Sequence, residues 1–277
     1  MITVTPEVET LLREDDYVNK ETGLIFCKNC RTPRQIHLDI NGEDRIIRTL
    51  CTCRKEKRDR EEQAWKAMEV RDRIARNRSV GLADPVLHEY TFANDMGYNP
   101  KQMAMAKQFV ANWDTISKES AGLLLWGDVG TGKSFIAGCI ANDLLNRGVP
   151  VMMTNFTRLL NRLTDMYSGD RNAYIDSLNA YPLLIIDDLG IERNSEFSRE
   201  QVFNITDSRY RSQLPMIITT NLTPEFMRNP PDLAQKRIYD RVLERCIPIR
   251  VNNQSIRKLN AEANMAKMKS LFQEVTE

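Results

Sequence analysis

The stretch "GLLLWGDVGTGKSF", residues 122–135, limits what this chain can fold into more than any other. An apolar run, Leu123 to Trp126, breaks at Gly127, passes through Gly130 and Gly132, and meets Lys133 and Ser134 before an apolar helical pattern starts at Phe135. That order predicts a strand, a tight loop and a helix. The glycines let the backbone close around a small concavity, and the first helical turn leaves N–H groups unpaired, so successive donors point inward. In the spacing Gly-x4-Gly-Lys-Ser, the segment Gly127, Asp128, Val129, Gly130, Thr131 and Gly132 is expected to cradle phosphates. Lys133 would meet the β/γ-phosphates and Ser134 a magnesium ion. An ordinary glycine-rich turn explains the glycines but not the lysine and serine that open the helix. The chain is therefore expected to bind a nucleoside triphosphate.

At 277 residues and 42% hydrophobic content, the chain can bury one full α/β core with a small module beside it. No apolar run approaches the ~20 residues needed to cross a bilayer. The opening "MITVTPEVETLLREDD" has neither the basic start nor the apolar core of a signal peptide. A cytoplasmic, reducing location is expected, where the six cysteines are thiols or metal ligands rather than disulfides. A net charge of +1 selects no class of partner. Residues 54–78, "RKEKRDREEQAWKAMEVRDRIARNR", are dense in both signs and lean basic. They suit a solvated helix laced with i,i+4 pairs, with a nucleic-acid or partner-binding arm as the other reading.

Four of the cysteines are paired. "CKNC" at 27–30 and "CTC" at 51–53 bracket two alternating strands around an Asn-Gly turn. Such a module has too few apolar residues to hold itself together, and zinc bound by Cys27, Cys30, Cys51 and Cys53 would supply the missing folding energy. An alternative set replaces Cys53 by His37. A closed site of this kind predicts docking rather than catalysis. His88, beside a proline turn, suits packing, and Cys139 and Cys246 suit the core.

Downstream, "VPVMMTN" (149–155), "PLLIIDDLG" (182–190), "PMIITTN" (215–221) and "CIPIRV" (246–251) read as a second to a fifth strand, mostly separated by helical patterns. The expected fold class is α/β, a parallel sheet wrapped by helices. In "LLIIDD", four aliphatics deliver two carboxylates to the strand's C-terminal end, the edge where ligands bind in such sheets. Asp187 would hold the magnesium, and Asp188 would orient and deprotonate the attacking water. Asn221 closes "ITTN" where a γ-phosphate could be sensed. Phosphoryl transfer also needs positive charge against the transition state, and a neighbouring subunit's arginine is a common source. "QKRIYDRVLERC" supplies Arg237, Arg241 and Arg245 on one helical face, for which surface salt bridging is the plainer reading.

Taken together, the phosphate loop, "LLIIDDLG", "ITTN", "RIYDR" and "NQSIRK" resemble the AAA+ ATPases of the DnaC/DnaI helicase-loader and IstB group, over roughly residues 80 to 260. The resemblance implies an AAA+ P-loop fold, ATP and magnesium as cofactors, and ATP-dependent self-association. It makes Asn221 a first sensor, Arg241 the arginine finger acting on a neighbour, and Arg257 in "SIR" a second sensor. Asp188 stands where many AAA+ proteins carry glutamate, which favours slow hydrolysis and a switch over a motor. The stretch after the fifth strand is too short for the usual helical lid.

Loaders of this group carry an extra helix after the second strand that faces single-stranded DNA. Here "FTRLLNRLTDMYSGDRNAY" occupies that place, offering Arg158, Arg162, Arg171 and Tyr167 to phosphates and bases. "RNSEFSRE" matches a further family contact through Ser195 and Phe197. The cysteine module resembles the helicase-docking domain of DnaI-type loaders. The chain is thus expected to comprise a zinc-binding helicase-interaction domain (1–53), a charged linker helix (54–80) and an ATPase domain (81–277). It would load a hexameric replicative helicase onto single-stranded DNA. An IstB-type transposition helper, binding duplex DNA and a transposase, is the alternative, and a non-catalytic nucleotide-fixed adaptor is a third reading.

Overall fold

In a computed structural model of the chain, residues 12–190, 195–252 and 255–273 are described. Residues 1–11 lie outside them, as do the first two residues of "RNSEFSRE" and of "NQSIRK". The chain divides into two compact units, 1–72 and 73–277.

In the first unit, β1 (Asp16–Val18) pairs antiparallel with β2 (Ile25–Cys27), and β3 (Gln35–Ile40) with β4 (Glu43–Arg48). The second hairpin is the one the Asn-Gly pair predicts. Asn41 at φ 58° and Gly42 at φ 84° supply the two left-handed residues that a two-residue turn requires. The β1–β2 hairpin has no such signature, because three-residue strands are too short to show alternation. Helix α1 (Thr52–Gly81) follows, exposed along almost its whole length and carrying the i,i+4 pairs Lys57–Glu61 and Glu62–Lys66. It ends at Gly81, where a Cβ would overlap the Val151 carbonyl oxygen.

In the second unit, α2 (Pro100–Ala111) and α3 (Trp113–Lys118) precede β5 (Gly122–Trp126) and α4 (Lys133–Asn146). Next come β6 (Val151–Asn155), α5 (Phe156–Thr164), α6 (Ser168–Ser177), β7 (Leu183–Leu189) and α7 (Glu196–Arg211). Strand β8 (Met216–Thr220), α8 (Pro224–Arg228), α9 (Leu233–Arg245), β9 (Cys246–Arg250) and α10 (Ile256–Gln273) complete it.

The five strands β5 to β9 form one sheet in the order β6-β7-β8-β5-β9, with every neighbouring pair parallel. Because successive side chains on a strand face opposite ways, Leu123 and Leu125 pack with α2 and α4, while Leu124 packs with α5, α7 and α9. Both faces are covered, which is why the central strands read as unbroken aliphatic runs. At the opposite edge of the sheet from the phosphate loop, the buried Arg209 donates to the carbonyls of Tyr181, Pro182 and Pro215, tying together the leads into β7 and β8. Burial brings its pKa down to about 9. The architecture is an α/β fold built on a five-stranded parallel sheet, with helix α10 following the last strand. Among the described residues, no helix is long and apolar enough to cross a membrane.

Candidate functional site

Strand β5 delivers the chain into the phosphate loop at Gly127. Gly127, Gly130 and Gly132 all have positive φ, and a Cβ at Gly127 would overlap the Val251 carbonyl, so strand packing and loop conformation both demand glycine there. Lys133 opens α4 and is buried. Its Nζ donates to the carbonyls of Gly127 and Asp128 at 2.9 and 2.7 Å and to Asn221 Oδ1 at 2.8 Å. Burial pushes its pKa down, against the pull of Asp188, Asp187 and Asp128. A buried ammonium bonded only to neutral oxygens is a site matched to an anion. Beside it, Ser134 Oγ donates to Asp187 Oδ1 at 2.9 Å, an oxygen pair of the kind magnesium takes.

Strand β7 changes register against β8 between Ile186 and Leu189, and within that irregularity Asp188 adopts φ 60°. Thr219, fully buried on β8, holds both acids: its Oγ1 donates to Asp187 Oδ1 at 2.5 Å and accepts from the Asp188 N–H at 2.9 Å. The bulge and this threonine keep two consecutive carboxylates at one end of the sheet, Asp188 lining the cavity and Asp187 bonded to Ser134, although alternation would send them to opposite faces. Burial, then the neighbouring Asp187, raises the pKa of Asp188, opposed by Lys133 and Arg257. The cavity, of 380 Å³, is lined by Tyr90, Asn99, Lys133, Asp188, Asn221 and Arg257 among others. The loop, lysine, serine and acidic pair therefore come together, and they fit a triphosphate with magnesium.

Arg257, on the first turn of α10, lines the same cavity, and the Ile256 N–H donates to the Gly130 carbonyl at 2.9 Å. Two supporting residues escape the sequence reading. Thr219 is one; Asn99 is the other, its Nδ2 donating to the Thr131 carbonyl at 2.9 Å. Only the polar ending of "IITTN" hints at the first, and no local pattern marks the second.

Arg241 lies outside this cavity. On α9, its guanidinium is bonded to Asp207 and stacked over Phe203. Arg245 packs over Tyr210, and Arg237 is exposed. Of the residues matched to DNA, Tyr167 is 86% exposed at the start of α6. Phe197 is half-buried with Arg171 over its ring, and Ser195 caps α7, accepting from the Ser198 N–H at 3.1 Å. Arg162 stacks on Tyr174 and Arg158 pairs with Asp84. His88 bonds the Leu82 carbonyl, and Cys139 and Cys246 are buried in the two cores.

In the first unit, the Sγ atoms of Cys27, Cys30, Cys51 and Cys53 all lie within 4.8 Å of one another. Cys53 is 3.6 Å from Cys27 and 3.4 Å from Cys51. Zinc bound tetrahedrally at ~2.3 Å would set its sulfurs about 3.8 Å apart, so this donor set fits the ion. His37 is elsewhere, its Nδ1 paired with Asp44 at 2.7 Å on the exposed hairpin, which favours the all-cysteine set. Arg34, which the sequence reading missed, donates to Cys27 Sγ at 3.1 Å and pairs with Asp15 and Asp16, orienting one ligand from behind.

The family profile described as IstB-like ATP binding protein matches residues 56–264. The replicative helicase loader DnaC of Escherichia coli (strain K12) is 27% identical over 143 residues, covering 50% of this chain and 56% of that protein. The replicative helicase loader DnaI of Bacillus subtilis (strain 168) is 26% identical over 176 residues, covering 57% and 55%. The chain thus spans about half the length of the curated relatives it matches. A crystal structure of DnaI superposes with a TM-score of 0.50 at 25% identity, over 61% of this chain and 94% of that one. With a profile that runs through the phosphate loop, the acidic pair and α9, the chain belongs to the IstB-like ATP-binding family.

Proposed function

We propose that this protein is an ATP-dependent helicase loader that assembles into an oligomer in the cytoplasm and delivers a hexameric replicative helicase onto single-stranded DNA. The observation that carries the reading is the convergence of Lys133, Ser134, Asp188 and Asn221 on one cavity, with Asp187 bonded to Ser134 behind it, in a chain whose relatives are named loaders. Lys133 and the loop N–H groups bind the β/γ-phosphates, Ser134 and Asp187 hold magnesium, and Arg257 approaches from α10. Asp188 positions water and takes its proton, while Asn221, bonded to Lys133, senses the γ-phosphate. Arg241 serves the pocket of the next subunit, and the cysteine unit, holding zinc, docks the helicase. The closed four-cysteine cluster favours this over the transposition helper and the adaptor.

Co-purification of the full chain with its host's replicative helicase tests the reading directly. Failure of the two to associate with ATP and magnesium present would refute it. Within the site, Lys133→Ala is expected to weaken triphosphate binding by more than tenfold, since a charged partner of phosphate contributes about 1.5–3 kcal/mol. Asp188→Asn keeps binding and loses turnover. Equilibrium binding and ATPase assays separate the two, and normal hydrolysis by both would show the site to be misassigned.

For DNA, Tyr167 is the informative position, because its exposed ring can be removed without disturbing a core. Tyr167→Ala is expected to weaken single-strand binding by about 1–3 kcal/mol, with affinity falling as salt rises. Fluorescence anisotropy reads both, and tighter binding to duplex would restore the transposition reading. Phe197→Ala would lower affinity as well, but part of its effect is lost packing beneath Arg171.

A further inference from the structure

The proposed finger, Arg241, is more tightly held than a surface arginine should be. Its Nε donates to Asp207 Oδ1 at 2.7 Å, its Nη2 is ion-paired with the same oxygen at 2.7 Å, and its Nη1 donates to the Arg237 carbonyl at 2.9 Å. The guanidinium carbon lies 4.6 Å from the centre of the Phe203 ring and 5.8 Å from that of Tyr210. Phe203, Asp207 and Tyr210 follow the i, i+4, i+7 spacing of one helical face, so α7 presents a carboxylate flanked by two rings. Arg237, Arg241 and Arg245 form the matching face of α9. The opposite oxygen of Asp207 is ion-paired with Arg211 Nε at 2.8 Å. The carboxylate is 14% exposed and the Arg241 side chain 24%.

A guanidinium has five N–H donors. Nε and Nη1 each donate one hydrogen bond here, leaving N–H donors on both terminal nitrogens, the pair that a phosphoryl group takes in fork geometry. We propose that Asp207 is a positioning residue for the trans-acting arginine: it fixes the rotamer of Arg241, aims its free donors at the neighbouring subunit's nucleotide, and keeps Arg211 from repelling it. The inference rests on Arg241 being the finger. Without Asp207 the arginine remains on the surface but samples many rotamers, and a misplacement of about 1 Å costs up to a hundredfold in rate.

The test uses the full chain with ATP, magnesium and single-stranded DNA. Asp207→Ala is expected to lower kcat by about ten- to a hundredfold with KM unchanged. Asp207→Asn, which can keep an amide oxygen toward Arg241, should fall between it and the parent chain. Adding Asp207→Ala to Arg241→Ala should cost nothing more, because the residue acts only through the arginine. Mixed with Asp188→Asn chains, Asp207→Ala chains should gain activity, since their pockets are intact and their neighbours' fingers work. Arg211→Ala, which removes the other cation from the same carboxylate, should turn over near the parent rate. A normal kcat in Asp207→Ala beside a slow Arg241→Ala overturns the role of Asp207 alone. Normal turnover by Arg241→Ala removes the finger and this inference with it. An equal loss in Arg211→Ala, or a further loss in the double variant, assigns the effect to the fold of α7 and also overturns the proposal.

Discussion

Arg241→Ala is expected to bind ATP as the parent chain does and to hydrolyse it about a thousandfold more slowly, even with single-stranded DNA present. The separation follows from geometry. The Arg241 side chain lies on α9 against α7 and is not among the residues lining its own chain's nucleotide cavity. A group that contributes to the transition state but not to ground-state binding lowers kcat and leaves affinity alone. Asp188→Asn has the reverse defect, a dead pocket with a working finger. Mixing the two inactive chains should therefore restore part of the activity, in proportion to how often an intact pocket meets an intact finger. If mixed assemblies form and stay inactive, Arg241 is not the finger, and the exposed Arg237 is the next residue to replace.

The second large effect concerns the cysteine unit. Each chain is expected to hold one zinc ion, and replacing Cys27 and Cys30 by Ser should unfold the unit and abolish helicase binding while ATP binding persists. A structural zinc site contributes about 10–16 kcal/mol to the folding of a small domain. Little else holds this one: among the described residues, its deeply buried apolar side chains are few, Leu24 and Ile25 with two of the cysteines themselves. The nucleotide cavity belongs to the other compact unit, with its own cores. Metal analysis, circular dichroism and nucleotide titration read the three consequences. A chain purified without chelator that carries no zinc would end the idea.

What could be read from the sequence was what lies within one short window. The phosphate loop puts glycines, lysine and serine within eight residues, and "LLIIDD" writes a buried strand and its chemistry in six. The cysteine pairs announce themselves by spacing, and the Asn-Gly turn fixes the hairpin between them. What escaped is held by contacts between distant segments. Thr219 reaches Asp187 from another strand, Asn99 supports the loop from the helix before it, and Asp207 meets Arg241 across two helices. Each is a common polar residue whose neighbours in sequence give no reason to select it. Ser195, which the resemblance matches to a DNA contact, also caps α7.

The left-handed backbone at Asp188 bears on why an aspartate stands where related ATPases carry glutamate. Short side chains that can bond locally tolerate positive φ, and aspartate and asparagine are several-fold enriched there. Glutamate shares neither advantage. Lengthening the acid at 188 would extend its carboxylate further into the cavity but load the bulge with strain of order 1–3 kcal/mol. Relaxing that strain would require β7 and β8 to regain register, which would swing the acid away from the cavity. Reach and backbone conformation are thus traded against each other at a single residue, and a longer acid at 188 would first require a redesigned bulge.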